Sequence, residues 1–207
     1  MDGVSAFILA GGRSSRMGSD KALLPFGGEN LLQLALGKAM RVVPTPTIVG
    51  DRKRYSSYGE VIEDQFPDCG PLGGIHAALS VTRTELNLVL SVDMPLMSGG
   101  FLIWLVELAA SGEQLAFVPE VQSRRQPLCA VYRKATKPVI EQALKAGDFK
   151  VGDIFRLIPT RYVQHDELLA AGFSPDIFFN VNTPADYEAL NGARLEASLR
   201  LSEGQCQ

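Results

Sequence analysis

Residues 11–21 combine glycine, serine and basic side chains in a pattern that suits the binding of phosphate groups. The segment holds three glycines, three serines, two arginines and Lys21. Because glycine lacks a Cβ, the backbone can approach an anion and point several N–H groups at it, while cationic side chains neutralise its charge. The preceding apolar run, Val4 to Leu9, predicts a buried strand, so a polyphosphate site is expected beyond its carboxyl end. A surface turn without a ligand can have the same composition, and that alternative stays open.

The two best-known glycine-rich nucleotide motifs are absent from this segment. The motif G-x-x-x-x-G-K-[ST] needs a lysine directly after its last glycine, whereas Ser19 and Asp20 separate Gly18 from Lys21. The dinucleotide motif G-x-G-x-x-G does not occur there either. The expected phosphate site is therefore of another kind.

Asp93 is the second candidate for chemistry, because it follows residues 88–92, which are apolar except for Ser91. Such a continuous run predicts a central parallel strand that is buried on both faces. Pro95 directs the chain out of the sheet, so the Asp93 carboxylate is expected at the edge where phosphates would bind. Mg²⁺ is held in proteins by one or two carboxylates together with phosphate oxygens and water. An aspartate that only caps a turn also fits the D-x-P sequence, and this reading stays open.

The elements that must position these groups alternate along the chain. The chain has 207 residues, 46% of them hydrophobic, which is enough for one well-packed domain. Alternating strand-like and helix-like segments, without an internal repeat or long linker, predict a three-layer α/β/α sandwich with a mostly parallel, Rossmann-like sheet. We assign residues 1–192 to this single domain and residues 193–207 to a polar C-terminal tail.

Composition argues against several classes of protein. The net charge of −3 and the isoelectric point near 5.5 disfavour a nucleic-acid-binding protein. The longest near-continuous apolar run, residues 101–110, is too short to span a bilayer, and no export signal is recognisable at the start. Three scattered cysteines and two histidines disfavour a zinc site. A cytoplasmic location is the resulting expectation.

The string from Leu9 to Lys21, L-A-G-G-R-S-S-R-M-G-S-D-K, resembles the opening motif of the MobA-type molybdenum cofactor guanylyltransferases, L-A-G-G-x-S-S-R-M-G-x-D-K. Sugar-phosphate nucleotidyltransferases share the L-A-G-G start but continue with G-T-R-L, which this chain lacks. Further blocks match in the same order: E-D followed by G-P-L-x-G, then D-x-P at Asp93, and F-x-N-V-N-T-P from Phe178. The resemblance covers nearly the whole chain and implies a nucleotide-diphospho-sugar transferase-like fold.

This resemblance implies that the protein transfers GMP from GTP to the terminal phosphate of molybdopterin, with or without bound molybdenum, and releases pyrophosphate. The acceptor phosphate is already ionised, so positioning and charge neutralisation suffice and no general base is needed. Arg16 and Lys21 would stabilise the triphosphate, and Asp93 would hold Mg²⁺. The implied nucleotide-binding residues are Leu9, Ala10, Gly11, Gly12, Lys21, Gly50, Asp64, Gly70, Pro71, Leu72, Gly73 and Asp93.

The implied base site combines a glycine-rich turn with a position that lacks a side chain. Residues 70–74 on their spacing alone form an ordinary strand-to-helix turn, whereas the resemblance places them, with Asp64, around guanine. At the position of Gly50 the family often has an amide-bearing residue that contacts the base. This chain has no side chain there, so it departs from the family pattern.

The resemblance assigns the acceptor to Arg124, Arg125, Asn180 and Asn182, although exposed arginines usually only aid solubility. The two asparagines alternate along a predicted short strand and would share one face of it. Thr183, Pro184 and Asp186 then predict a helix start, with Thr183 as the N-cap. Transient contacts with molybdopterin-loading proteins and recipient molybdoenzymes also follow from the resemblance.

The sequence leaves three alternative functions open. The nearest is a cytidylyltransferase acting on the same pterin, and the next is a sugar-phosphate nucleotidyltransferase. The third belongs to a different class, a nucleotide-binding regulatory module without catalysis. Lys21 and Asp93, both intact, favour an enzyme.

Overall fold

A mixed β-sheet forms the centre of the computed structural model, which describes residues 3–11 and 20–192. The strands in this part of the chain are β1 Val4–Leu9, β2 Pro25–Phe26, β3 Glu29–Asn30, β4 Thr47–Val49, β5 Val61–Ile62, β6 Leu86–Ser91, β7 Ala116–Val121, β8 Arg124–Arg125, β9 Cys129–Arg133 and β10 Thr160–Gln164. The main sheet has the order β10-β7-β9-β6-β1-β4-β5, with β8 paired to β7, and β2 and β3 form a separate hairpin.

Helices connect these strands. The α-helices are α1 Leu31–Ala39, α2 Arg52–Tyr55, α3 Gly70–Val81, α4 Gly99–Ala110, α5 Lys137–Lys145, α6 Val151–Ile154 and α7 His165–Ala170, and residues 184–192 form α8. Short 3₁₀ helices occupy Lys21–Leu23, Lys134–Thr136 and Pro175–Phe178. No helix among residues 3–11 and 20–192 is long and apolar enough to cross a membrane.

Most neighbouring strands of the sheet run parallel. Strands β1, β4, β5 and β6 are parallel to one another, as are β7 and β10. Strand β9 runs in the opposite direction between β6 and β7, and β8 forms an antiparallel hairpin with β7. The predicted mostly parallel sheet is confirmed, with β9 as an inverted strand that the sequence pattern did not indicate.

Two hydrophobic layers cover the faces of the sheet. Along β1, Ala6 and Ile8 join the layer that contains α1 and α4, whereas Phe7 and Leu9 join the layer that contains α3 and α5. Every residue of β6 is buried. Since both faces of the sheet are covered, the sequences of these strands are continuous apolar runs and do not alternate between apolar and polar residues. This is why the sequence pattern identified the strands.

Candidate active site

A cavity of about 510 Å³ lies at the carboxyl ends of the central parallel strands. Its wall is formed by Leu9, Gly11, Val49, Gly50, Asp64, Pro67, Asp68, Gly70, Pro71, Gly74, Ser91 and Leu128. This is the edge of an α/β sheet where ligands bind, and the volume suits a small organic molecule. Six of the residues assigned to the nucleotide by resemblance lie in this wall: Leu9, Gly11, Gly50, Asp64, Gly70 and Pro71.

Three other assigned residues lie just behind the wall. The Ala10 amide donates to the Val49 carbonyl at 3.0 Å, which joins β1 to β4 beside the cavity. Leu72 is fully buried in the hydrophobic layer beneath α3. Gly73 is buried under the Asp64 side chain. These residues shape the cavity from behind instead of lining it.

The Asp64 carboxylate is held against Gly73 at the start of α3. Its Oδ1 accepts a hydrogen bond from the Phe66 amide at 2.7 Å. A Cβ on Gly73 would overlap Oδ2 of Asp64 and lie 2.9 Å from its Cγ, so only glycine leaves room for this carboxylate. Burial raises the pKa of Asp64, although the bond from the Phe66 amide opposes that rise.

The cavity wall carries acidic but no basic side chains among the residues that the structure describes. Asp64 and Asp68 are the charged residues in the lining set. Ionised carboxylates only accept hydrogen bonds. The wall is therefore suited to a ligand edge that presents several N–H donors.

At Gly50 the wall consists of backbone, because an aromatic ring fills the space that a side chain would need. A Cβ on Gly50 would lie 2.8 Å from Cε2 and 3.0 Å from Cδ2 of Tyr55. Tyr55 is only 3% exposed, so its ring cannot move aside easily. The structure thus gives a physical reason for glycine at this position.

Lys21, Asp93 and Asn182 come together next to the cavity edge. The Lys21 Nζ lies 3.3 Å from Oδ2 of Asp93 and 3.1 Å from Oδ1 of Asn182. These pairs are separated by 72 and 161 residues in sequence, so only the fold brings them together. The Lys21 and Asp93 side chains are 17% and 16% exposed, which strengthens their attraction relative to a surface pair.

The Asp93 carboxylate has one oxygen in use and one available. In the part of the chain that the structure describes, Oδ1 of Asp93 is buried without a hydrogen-bond partner. Burying a carboxylate oxygen without a partner costs free energy, and a bound ligand or ion at this oxygen would offset that cost. The Asp93 carbonyl accepts from the Val181 amide at 2.9 Å, which fixes the backbone. The Lys38 ammonium lies 3.4 Å from the Met94 carbonyl and 2.5 Å from the Pro95 carbonyl, and it holds the following turn.

These features fit Mg²⁺ bound with its substrate. The described residues contain no group of three His, Cys, Asp or Glu side chains that could hold a metal ion by themselves. Mg²⁺ usually takes one or two carboxylates and completes its shell with phosphate oxygens and water. The Oδ1 of Asp93, buried without a partner among the described residues, is an oxygen donor of the kind that this arrangement needs.

The segment before α8 differs from the sequence prediction. Residues 179–182 do not form a strand, and Pro175–Phe178 is a 3₁₀ helix. The side-chain Nδ2 of Asn180 donates back to the Phe178 carbonyl at 2.8 Å, whereas the side chain of Asn182 faces Lys21. The prediction that both asparagines share one strand face is therefore wrong, because their side chains turn to different partners in a segment without strand structure.

The start of α8 follows the prediction. The Asp186 amide donates to Oγ1 of Thr183 at 3.2 Å, and Oδ2 of Asp186 accepts from the Thr183 amide at 2.8 Å and the Asn182 amide at 2.9 Å. This reciprocal pattern is a capping box. Thr183 is confirmed as the N-cap, and the cap holds the backbone of Asn182 beside Lys21.

The two candidate acceptor arginines lie on β8, in the hairpin after β7. The Arg125 Nε bonds to Oε2 of Glu120 at 3.2 Å, and its guanidinium lies 4.3 Å from the centre of the Tyr162 ring. These contacts tie the hairpin to β10. Arg124 is exposed at the same edge of the sheet as the cavity. Two further assigned residues, Gly12 and Arg16, lie outside the described residues.

Sequence reasoning missed Asp20 and Tyr55. The Tyr55 hydroxyl lies 2.9 and 3.0 Å from the two carboxylate oxygens of Asp20 and 3.2 Å from the Ala10 carbonyl. The position of Asp20 directly before Lys21 was a usable signal. Tyr55 offered none, because it is 35 residues from Asp20 in sequence.

The comparisons with known proteins agree with this geometry. The profile of the MobA-like NTP transferase domain matches residues 6–168. A probable molybdenum cofactor guanylyltransferase from Pelotomaculum thermopropionicum is 38% identical over 181 residues, covering 86% of this chain and 87% of the relative. The molybdenum cofactor guanylyltransferase of Vibrio cholerae is 34% identical over 183 residues, covering 86% and 87% respectively.

A solved structure is similar as well. The crystal structure of molybdopterin-guanine dinucleotide biosynthesis protein A from Archaeoglobus fulgidus superimposes with a TM-score of 0.82 at 26% identity, covering 93% of this chain and 99% of that chain. The predicted nucleotide-diphospho-sugar transferase-like fold is confirmed.

Proposed function

Since the chain belongs to the MobA-like NTP transferase family and is a nucleotidyltransferase, we propose that it transfers GMP from GTP to the terminal phosphate of molybdopterin and releases pyrophosphate. The observation that carries this proposal is the acidic cavity next to the Lys21–Asp93–Asn182 cluster. The cavity suits a base rich in donors, and the cluster suits the phosphates attached to it.

Hydrogen-bonding chemistry favours guanine in the cavity. Guanine presents two adjacent donors, N1–H and the 2-amino group, on one edge. Cytosine and adenine instead place a ring-nitrogen acceptor beside their amino group, which a carboxylate repels. Asp64, fixed by the Phe66 amide, and Asp68 on the same wall therefore discriminate for guanine.

The cluster carries out the phosphoryl chemistry by charge and position. Lys21 neutralises phosphate oxygens, and Asn182 limits the directions in which its ammonium can point. Asp93 would hold Mg²⁺ through its Oδ1 oxygen, and the ion would supply positive charge that offsets the negative charge developing on the phosphates during transfer. The acceptor phosphate attacks in line as an anion, so the site needs no general base.

The acceptor is assigned to the side of the cluster away from the base. Asn180 and Asn182 lie on either side of Val181, whose amide donates to the Asp93 carbonyl. Arg124 on the β7–β8 hairpin adds a cation suited to a phosphate-bearing pterin. Arg125 is already engaged by Glu120 and Tyr162, so its share in acceptor binding is smaller. Transient contacts with molybdopterin-loading proteins and recipient molybdoenzymes belong to the same proposal.

The test is the rate of pyrophosphate release with molybdopterin and Mg²⁺ for GTP, CTP, ATP and ITP. We expect GTP to be preferred. ITP lacks the 2-amino group, and loss of one bond to a charged acceptor predicts a rate lower by about tenfold or more. Equal rates with CTP would indicate the cytidylyltransferase alternative. Turnover with hexose 1-phosphates in place of molybdopterin, or nucleotide binding without pyrophosphate release, would contradict the proposal.

A further inference from the structure

We propose that Tyr55 is a positioning residue for the phosphates of the nucleotide and acts through Asp20 on Lys21. This inference rests on the nucleotide site proposed above. Tyr55 touches neither the Lys21 ammonium nor Asp93 among the described contacts. It is buried behind the cavity wall, at the end of α2.

The Tyr55 hydroxyl joins the two described residues that flank residues 11–19. One is Ala10, directly after β1, and the other is Asp20, directly before Lys21. A hydroxyl has one proton, so the bond to Asp20 at 2.9 Å is the principal one and the Ala10 carbonyl at 3.2 Å is a secondary acceptor. Burial, followed by the bond to Asp20, raises the pKa of the Tyr55 hydroxyl, which keeps that proton in place.

Asp20, held by the Tyr55 hydroxyl, in turn fixes the backbone at Lys21. Its Oδ1 accepts from the Ala22 amide at 3.1 Å and caps the 3₁₀ helix Lys21–Leu23. The Arg54 Nη1 bonds to the other oxygen at 3.1 Å, so the carboxylate is held from three sides. The direction in which the Lys21 side chain leaves the backbone is fixed by this cap.

One edge of the Tyr55 ring packs behind the wall of the base cavity. The ring fills the space next to Gly50, which lies in the cavity wall. The same residue thus packs behind the base site through its ring and sets the phosphate-binding lysine through its hydroxyl. Removing only the hydroxyl should separate the two roles.

The experiment measures the affinity of GTP with Mg²⁺ and of guanosine for the wild-type protein and Tyr55→Phe. We expect GTP binding to weaken about tenfold, the change that corresponds to about 1.4 kcal/mol, while guanosine binding changes less than about twofold because the ring remains. The matched control is Tyr58→Phe. The Tyr58 hydroxyl bonds to Nδ2 of Asn30 at 3.0 Å, away from Asp20, and its loss should affect neither ligand.

A double-mutant cycle tests the route through Lys21. If Tyr55 acts by positioning Lys21, Tyr55→Phe should weaken GTP binding much less in a Lys21→Ala background than in the wild type. Additive losses, equal losses of GTP and guanosine, or no loss would each overturn the proposal. If Tyr55→Phe does not fold, Asp20→Ala, which removes the acceptor of the Tyr55 hydroxyl, replaces it in the cycle with the same criteria. A wild-type protein that binds no guanine nucleotide would contradict the proposed function itself.

Discussion

The two oxygens of the Asp93 carboxylate have different surroundings, and this asymmetry decides between the two readings of the D-x-P sequence. Oδ2 faces Lys21, and the buried Oδ1 has no partner among the described residues. No described backbone amide donates to this side chain, as a turn cap would require. The metal-binding interpretation is therefore the one that the geometry favours.

Asp93→Asn should lower the rate of pyrophosphate release by about 10²-fold or more at saturating substrates. Without the carboxylate the site no longer holds the metal ion, and the negative charge that develops in the transition state is no longer stabilised. The melting temperature without ligand should change little, since asparagine keeps the shape and can still accept from Lys21. The control is Glu85→Gln, which alters an exposed carboxylate at the opposite edge of the sheet. Rates for Asp93→Asn that match this control would rule out Asp93 as the metal ligand.

Gly73→Ala should weaken GTP binding by about tenfold or more, because the new methyl group occupies the place of the Asp64 carboxylate, which makes a charged hydrogen bond. The matched control is Gly37→Ala in α1, where a Cβ would meet nothing within 4 Å. Both changes gain helix propensity, worth about 1 kcal/mol. Calorimetric titration with GTP compares them, and equal affinities would show that Asp64 does not contact the base.

At the scale of elements, the cap of α8 links local sequence to the site. The capping box was predictable because Thr183 and Asp186 are three residues apart, and cap chemistry is local. The contact between Asn182 and Lys21, which this cap supports, was not predictable, because the two residues are 161 positions apart in the sequence. Bonds from the Asn182 amide, then from Thr183, hold the pKa of Asp186 below its usual value.

Thr183→Ala should lower the free energy of unfolding by about 1 kcal/mol, the usual cost of losing an N-cap hydroxyl. Urea denaturation measures this change. We also expect GTP affinity to fall, because the backbone of Asn182 loses one of its constraints. A variant with unchanged stability would mean that the Asp186 carboxylate alone suffices for the cap.

At the scale of the whole molecule, buried strands were predictable but their directions were not. Apolar runs identify β1 and β6 because both faces of the sheet are covered. Hydrophobicity carries no information on the direction of β9, whose reversal brings Leu128 to the cavity edge. The Tyr55–Asp20 hydrogen bond was not predictable either, because no local sequence pattern indicates a bond between residues 35 positions apart.

The stability of the whole protein should depend on pH through Lys38. Burial lowers the pKa of Lys38 from 10.5 to about 8, and the neighbouring Cys129 opposes this shift. Between these values unfolding takes up a proton, so the free energy of unfolding rises with pH across the window from 8 to 10.5.

Lys38→Met removes this dependence. The stability of the wild type relative to the variant should rise by an amount on the order of 3 kcal/mol between pH 8 and pH 10.5. Groups that are common to both proteins cancel in the difference. Denaturant unfolding at several pH values measures the difference in the free energy of unfolding between the two proteins. A difference that does not change with pH would contradict the lowered pKa of Lys38.

The ring of Tyr55 beside Gly50 also sets a rule for redesign. Any side chain introduced at position 50 to recognise a different base must displace this ring. A smaller residue at position 55 would make room but would also remove the hydroxyl that contacts Asp20. Altered base preference and tight triphosphate binding therefore compete at these two positions. A library that changes the base preference must therefore vary both positions together and supply a new hydrogen-bond partner for Asp20.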